Sequence, residues 1–246
     1  MVGQNWSPQN MPALSVVLPA YNEQSNLADA VDEVLKHVAS VVPDLEIIVV
    51  NDGSTDQTQT ILAALASRHP EVVAVHQANA GHGQALSNGV RKATGGYLLL
   101  LDSDRQVSLE DFAAHWRMMA DCDVLLGCRW KRADPLHRMI VSNSLRLLLA
   151  AKFGLAAKDA NAPYKLLGRQ VWHEAFDRMR TGSVIPSALL AARALQRTDL
   201  RVLQVSVAYR DRPHGPSSLN LRRLASLCAK AVADIFFFRT SSRGHA

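Results

Sequence analysis

The sequence predicts an α/β fold built on a doubly wound, mostly parallel sheet. Short β-rich runs at 14–19, 45–50, 72–76, 97–101 and 123–127 alternate with helical patterns through the first half of the chain. These runs are continuously apolar rather than alternating, the pattern of strands covered on both faces by helices. The polar clusters come directly after the strands: Pro19 to Glu23, Asn51 to Asp56, and Asp102 to Gln106. In such a sheet ligands belong in the crevice beyond the carboxyl ends of the strands.

The elements follow in order. After the first run, Leu27, Val31, Val34, Leu35 and Val38 recur at the 3.6-residue spacing of a helix with one buried face. Ser54-Thr55-Asp56-Gln57 reads as a capping box opening the second helix, and His69-Pro70 closes it. Leu98 to Leu101 reads as the end of a strand buried on both faces, and Glu110-Asp111 as the opening of a helix. The alternation breaks after about residue 130, where Arg129-Trp130-Lys131-Arg132 leads into an apolar helical stretch at about 138–156. A loop from Asp159 to Lys165, two helices, a strand at 201–208 and a last helix from about 218 complete the pattern. With no internal repeat, low-complexity tract or linker, 1–246 is expected to form one domain with a specialised second half.

The bulk properties narrow the classes. A net charge of +5 and a pI near 9.3 favour contact with phosphates or anionic surfaces. Three cysteines are too few and too irregular for a disulfide framework or a zinc site, which points to a reducing, cytoplasmic setting. Met1 to Ala13 lacks the basic and apolar regions of a signal peptide. No run approaches the ~20 apolar residues that span a bilayer. The nearest candidates are broken by Arg146 and Lys152, or by Lys230 and Asp234, so a soluble or peripheral protein is expected.

The chemistry concentrates after the fourth strand. In an extended chain Asp102 and Asp104 point the same way, and Gln106 continues the row with a neutral oxygen. Two aspartates on one side repel unless a cation sits between them, and a hard divalent ion with positions open for phosphate oxygens suits them. Asp52 can accept hydrogen bonds from a base, Tyr21 offers an aromatic face, and Glu23 is a further acceptor. A dinucleotide fold is excluded, because its glycine-rich turn would follow the first strand, where Pro19-Ala20-Tyr21-Asn22-Glu23 stands instead. No P-loop lysine pattern occurs.

Together these residues resemble glycosyltransferase family 2, with the nucleotide-diphospho-sugar transferase (GT-A type) fold. The resemblance rests on four motifs in register. They are Val17-Leu18-Pro19-Ala20-Tyr21-Asn22-Glu23, Val50 to Asp56, Asn79-Ala80-Gly81-His82-Gly83-Gln84-Ala85 with Gly89, and Leu101-Asp102-Ser103-Asp104. It covers roughly 14–220 and is most similar to the dolichyl- and polyprenyl-phosphate sugar synthases. Asp104-Arg105-Gln106, Gly127-Cys128-Arg129, Arg138 with Ser142, and Arg212 with Gly215 and Ser217 match their later motifs. Cys128 and Arg105 depart from the usual serine and apolar residue.

The resemblance implies a division of labour. Pro19, Tyr21, Glu23 and Asp52 would hold the nucleoside, with Gly81 and Asp102 completing the donor site. Asp102, Asp104 and Gln106 would face Mg²⁺ or Mn²⁺ and the diphosphate. Arg129, Arg138, Ser142, Arg212 and Ser217 would line an acceptor-phosphate site. On that reading about 14–130 is the nucleotide-sugar half, about 131–220 the acceptor half, and about 218–238 a C-terminal amphipathic helix.

The expected reaction is an inverting, metal-dependent transfer from a UDP- or GDP-sugar to a polyprenyl phosphate, with Asp104, Asp159, Arg129 and Arg212 as catalytic candidates. A phosphate acceptor is mostly ionised near neutrality, its second pKa being about 6, so it needs cations rather than a base. A hydroxyl acceptor on a glycan or lipid needs a base. Asp159, which precedes Tyr164-Lys165, is the candidate for that role, or else orients the loop. A nucleotide-sugar-binding module without turnover is a further alternative, against which the full set of arginines and carboxylates argues. The last helix, with Phe236 to Phe238, either packs on the domain or lies on an anionic membrane at the cytoplasmic face. His82 and His214 have no partner at metal-ligand spacing.

Overall fold

The computed structural model describes residues 13–130, 136–154, 158–180, 182–210 and 221–238. Seven strands form one sheet: β1 (Leu14–Ala20), β2 (Leu45–Asp52), β3 (Val72–Gln77), β4 (Tyr97–Leu100), β5 (Val124–Trp130), β6 (Lys165–Gly168) and β7 (Val202–Ala208). Their order is β3-β2-β1-β4-β6-β5-β7. β1, β2, β3 and β4 run parallel, as do β5 and β7, while β6 is antiparallel to both of its neighbours. The strand at β6 lies where the sequence reading had the end of a loop. Lys-Leu-Leu-Gly is too short to show a period, and its partners β4 and β5 lie far away in sequence.

Helices cover both faces. α1 (Leu27–Val34), extended by a π-helical turn at Leu35–Ala39, packs on one face with α2 (Thr58–Arg68) and α4 (Phe112–Met118). α3 (His82–Lys92), α5 (Leu136–Phe153), α6 (Arg169–Asp177), α7 (Pro186–Gln196) and α8 (Leu221–Phe237) contribute to the core on the other. The all-apolar central strands follow from this double cover: every residue of β1 is buried, whereas the edge strands β3 and β7 are partly exposed. Gly89 lets α3 lie flat on the sheet. A Cβ there would stand 2.4 Å from Val17 Cγ1 and 3.0 Å from Val50 Cγ2.

The expected capping box does not form. α2 starts later, at Thr58, and Ser54 Oγ instead accepts a bond from the Asn22 backbone N–H at 3.0 Å. Asp56 Oδ1 takes the Thr58 N–H at 2.9 Å and its Oδ2 the Gln24 N–H at 3.1 Å. These side chains therefore join two strand-end loops instead of closing one helix.

Candidate active site

The carboxyl ends of β1, β2 and β4 lie side by side, and the loops leaving them are tied together. The Asn22 side-chain oxygen receives the Thr55 N–H at 2.8 Å, and the Gln24 side-chain oxygen the Gln57 N–H at 3.0 Å. The Glu23 N–H bonds Thr58 Oγ1 at 2.9 Å, while its carboxylate receives Asn26 Nδ2 at 2.7 Å. Tyr21 remains exposed beside them. Gly53 makes the turn after β2 with φ +66, and a Cβ there would lie 2.6 Å from the Asn79 backbone nitrogen.

Asp52 is 2% exposed, and its carboxylate organises the third motif. Oδ1 receives Gln77 Nε2 at 2.7 Å and the Ala80 N–H at 2.8 Å, and Oδ2 receives the Gly81 N–H at 2.8 Å. The expected base acceptor thus holds the loop that opens α3, where Gly81 adopts φ +90. His82, the first residue of α3, stands with Nε2 3.6 Å from Asp102 Oδ1.

The carboxylate loop differs from the extended row expected of it. β4 ends at Leu100, the chain turns at Ser103 and Asp104, and Arg105 takes a left-handed φ of +60. Ser103 Oγ donates to the Pro19 carbonyl at 2.7 Å, fixing the turn against the end of β1. Arg105 points away to α1, where it pairs with Asp29 and lies 3.6 Å from Glu33. Gln106 is drawn into a short antiparallel pairing: its carbonyl takes the Arg210 N–H at 2.7 Å, and Val107 bridges Tyr209. The alternation argument fails because it assumed a strand where the chain makes a turn. Asp102 and Asp104 still offer hard oxygen donors on either side of Ser103. Among the described residues, no group of three or more His, Cys, Asp or Glu gathers to hold a metal. This sparse carboxylate set fits a hard cation that takes the rest of its shell from phosphate oxygens and water.

Arg129, at the end of β5, is not held open. Its Nε donates to Asp159 Oδ2 at 2.7 Å, its NH2 to Oδ1 at 2.8 Å, and its backbone N–H to Oδ2 at 3.2 Å. The Tyr209 ring lies 5.4 Å from the guanidinium carbon. Burial alone would raise the Asp159 carboxyl, but the Arg129 bonds and charge hold it below its ordinary value. Burial likewise opposes the charge of Arg129, and Asp159 outweighs it and raises the guanidinium. Asp159 is therefore an ion-pair partner, poorly suited as a base, which works best with a pKa near the operating pH. Arg138 and Ser142 fall on α5 but their side chains lie outside the described residues, as do Arg212 and Ser217 entirely.

Two side chains missing from the expected site flank it. Lys165 on β6 is 1% exposed and donates to Ser187 Oγ at 2.6 Å and to the Ala162 carbonyl. Burial pushes its ammonium down to about 7. The signal was a lysine set in the apolar run Tyr164 to Leu167; Ser187 carries none. Beside them lies a cavity of about 560 Å³. Leu86, Leu145, Leu148, Leu227 and Val232 wall it, with His82, Asp102, Asn161 and Ser187 among its polar lining.

Comparison with known proteins matches this chain to one family. The glycosyl transferase family 2 model aligns with residues 15–186. An undecaprenyl-phosphate 4-deoxy-4-formamido-L-arabinose transferase of Sodalis glossinidius is 25% identical over 224 residues, 90% of this chain and 67% of that protein. The chain spans about two thirds of the length of the curated transferases of this kind that it matches. Among solved structures, glucosyl-3-phosphoglycerate synthase from Mycobacterium tuberculosis, in complex with Mn²⁺, UDP and phosphoglyceric acid, superposes with TM-score 0.65. It is 20% identical, over 92% of this chain and 78% of that one. A mannosyltransferase from Pyrobaculum calidifontis, in complex with GDP-mannose and Mn²⁺, gives 0.61 at 16% identity, over 93% and 64%. The sheet is that of the GT-A fold, and the chain belongs to glycosyltransferase family 2.

Proposed function

We propose that this glycosyltransferase moves a sugar from a UDP- or GDP-linked donor to a polyprenyl phosphate. The observation that carries the reading is the cavity of about 560 Å³, apolar along α5 and α8 and polar where it meets His82 and Asp102. An amphiphile with a long hydrocarbon chain and a charged head has that distribution. The transferase from Sodalis glossinidius names undecaprenyl phosphate as its acceptor, which supports the same class.

The donor side is read from the loops. The nucleoside lies against Pro19, Tyr21, Glu23 and the Asn79–Gly81 loop that Asp52 holds in place, with Gly81 and Asp102 toward the diphosphate. Asp102 and Asp104, with Gln106 beside them, would hold Mg²⁺ or Mn²⁺. Bound there, such an ion would supply Lewis-acid stabilisation of the leaving nucleoside diphosphate. Mn²⁺ accompanies nucleotides in both solved relatives described above.

The acceptor phosphate is already anionic near neutrality and attacks without losing a proton. A single displacement from the opposite face inverts the anomeric centre. Arg129, Arg138, Ser142, Arg212 and Ser217 are read as the acceptor side, with Arg129 held in orientation by Asp159. The pairing of Asp159 with Arg129 favours this acceptor over a hydroxyl, which needs a base.

The apolar face continues outward. Phe236 and Phe237 are 71% and 59% exposed, with Lys152 Nζ 5.7 Å from the first ring and the Arg180 guanidinium carbon 5.2 Å from the second. Aromatic side chains rimmed by cations suit peripheral contact with an anionic membrane surface. No described helix is long and apolar enough to cross a membrane.

The test is transfer by purified protein with Mg²⁺ or Mn²⁺, from labelled UDP- and GDP-sugars, to a polyprenyl phosphate and to the matching alcohol. Product on the phosphate alone, abolished by EDTA and by Asp104→Ala, is expected. Product on the alcohol would replace this reading with hydroxyl transfer. Nucleotide-sugar binding with no product on any acceptor would favour a binding module.

A further inference from the structure

Lys165 occupies an unusual place for a cation. It lies in the middle of the sheet, opposite Leu100 of β4 and Leu126 of β5, and is 1% exposed. Its two hydrogen-bond partners, the Ala162 carbonyl and Ser187 Oγ, are both neutral. Among the described residues no carboxylate is bonded to it, and Asp159 and Asp102 act on it only through their charge. A buried charge without a directly bonded counter-ion is costly.

The bond to Ser187 sets a direction. In its charged form, which an anion in the cavity would favour, Lys165 can only donate, so the Ser187 oxygen is the acceptor at 2.6 Å. Its own hydroxyl proton is left to donate elsewhere, and no such bond to the protein is present among the described residues. Ser187 lines the cavity of about 560 Å³ that also contacts His82 and Asp102. A donor hydroxyl polarised by a buried ammonium, at the polar part of an otherwise apolar cavity, is matched to an anion on an apolar chain.

We propose that Ser187, oriented by Lys165, binds the phosphate of the lipid acceptor. Ser187 is the binding residue, and Lys165 is a positioning residue that acts through it and supplies the positive charge behind it. The assignment rests on the reading of the acceptor as a lipid phosphate. The donor diphosphate is the other phosphate within the site, and Asp102 lines the same cavity as Ser187, so nucleotide binding is the control that distinguishes the two. The nucleoside-side loops leave β1 and β2, whereas Lys165 is on β6, beyond β4. Leu145 and Leu148 of α5 and Leu227 and Val232 of α8 line the same cavity as Ser187.

The test is equilibrium binding of farnesyl phosphate and of farnesol to the wild-type chain, Ser187→Ala and Lys165→Met. UDP and GDP with Mn²⁺ are titrated in parallel. The wild type should prefer the phosphate, and Ser187→Ala should reduce that preference by about tenfold, the scale of a hydrogen bond to a charged group. Lys165→Met should reduce it as well, with farnesol and nucleotide binding unchanged. A change that merely loosened the cavity would weaken both farnesyl ligands alike. Should Ser187→Ala keep the full preference, or weaken the nucleotide instead, the assignment is overturned while the acceptor reading stands. A wild type without preference for the phosphate would overturn both. If Lys165→Met fails to fold, Ser187→Ala alone decides.

Discussion

Arg129 and Asp159 face each other as a two-pronged ion pair, Nε to Oδ2 at 2.7 Å and NH2 to Oδ1 at 2.8 Å, with side chains 7% and 19% exposed. Removing one partner strands the other charge, at a cost of about 3 kcal/mol. Asp159→Ala should therefore lower the urea midpoint by the equivalent of that amount, and an unchanged midpoint would show the pair to be dispensable. The pH dependence has a definite sign. The Asp159 carboxyl lies below its unfolded value of about 4, so its contribution is present above that pH and lost as pH falls through the lower folded value. Acidification from neutrality to about pH 3 should cost the wild type more stability than it costs Asp159→Ala.

On the proposed reading, Asp52 acts on the donor through the loop it holds. Asp52→Ala leaves the Ala80 and Gly81 N–H groups without their acceptor, at about 1–3 kcal/mol each. Calorimetric titration should show loss of UDP or GDP affinity together with lower thermal stability. Asp52→Asn, which keeps one acceptor oxygen, should fall between the two. Wild-type nucleotide affinity in Asp52→Ala would remove the loop from the donor site.

Most of the architecture was legible because the strands β1, β2 and β4 are long apolar runs with polar residues at their ends. Leu98 to Leu101 are all nearly inaccessible, as a run buried on both faces should be. The site was legible as a set of loops but less so as geometry. The turn at Ser103 depends on the bond from its hydroxyl to the Pro19 carbonyl, and on Arg105 reaching α1, both contacts distant in sequence. The pairing of Arg129 with Asp159 spans 30 residues, and local spacing carries no trace of it. The burial of Lys165 becomes visible only once β6 is seen to run between β4 and β5.

Packing of α3 on the sheet allows no side chain at Gly89. Gly89→Ala would bring a methyl within 2.4 Å of Val17 Cγ1 on a fully buried strand. Overpacking of this kind should cost about 2 kcal/mol, measured by chemical denaturation. Stability equal to wild type would mean that α3 can lift from β1 freely.

The exposed aromatic pair should govern attachment to lipid. Phe236→Ser with Phe237→Ser should reduce co-sedimentation with vesicles containing anionic phospholipid, while near-UV circular dichroism stays as in the wild type. Since cations flank both rings, the wild-type binding should also weaken at high salt. Equal sedimentation of both proteins would leave this face without a membrane role.

The central claim is that the acceptor's hydrocarbon chain occupies the cavity between α5, α7 and α8. Ala231, on α8, lines the apolar part of that cavity with Leu227 and Val232, and Ala231→Trp would fill much of it. The decisive measurement is the rate of sugar transfer to a polyprenyl phosphate by Ala231→Trp and wild type, with nucleotide binding followed in both. A large loss of transfer with intact fold and nucleotide affinity is the predicted result. Transfer at the wild-type rate would contradict the account and place the acceptor elsewhere.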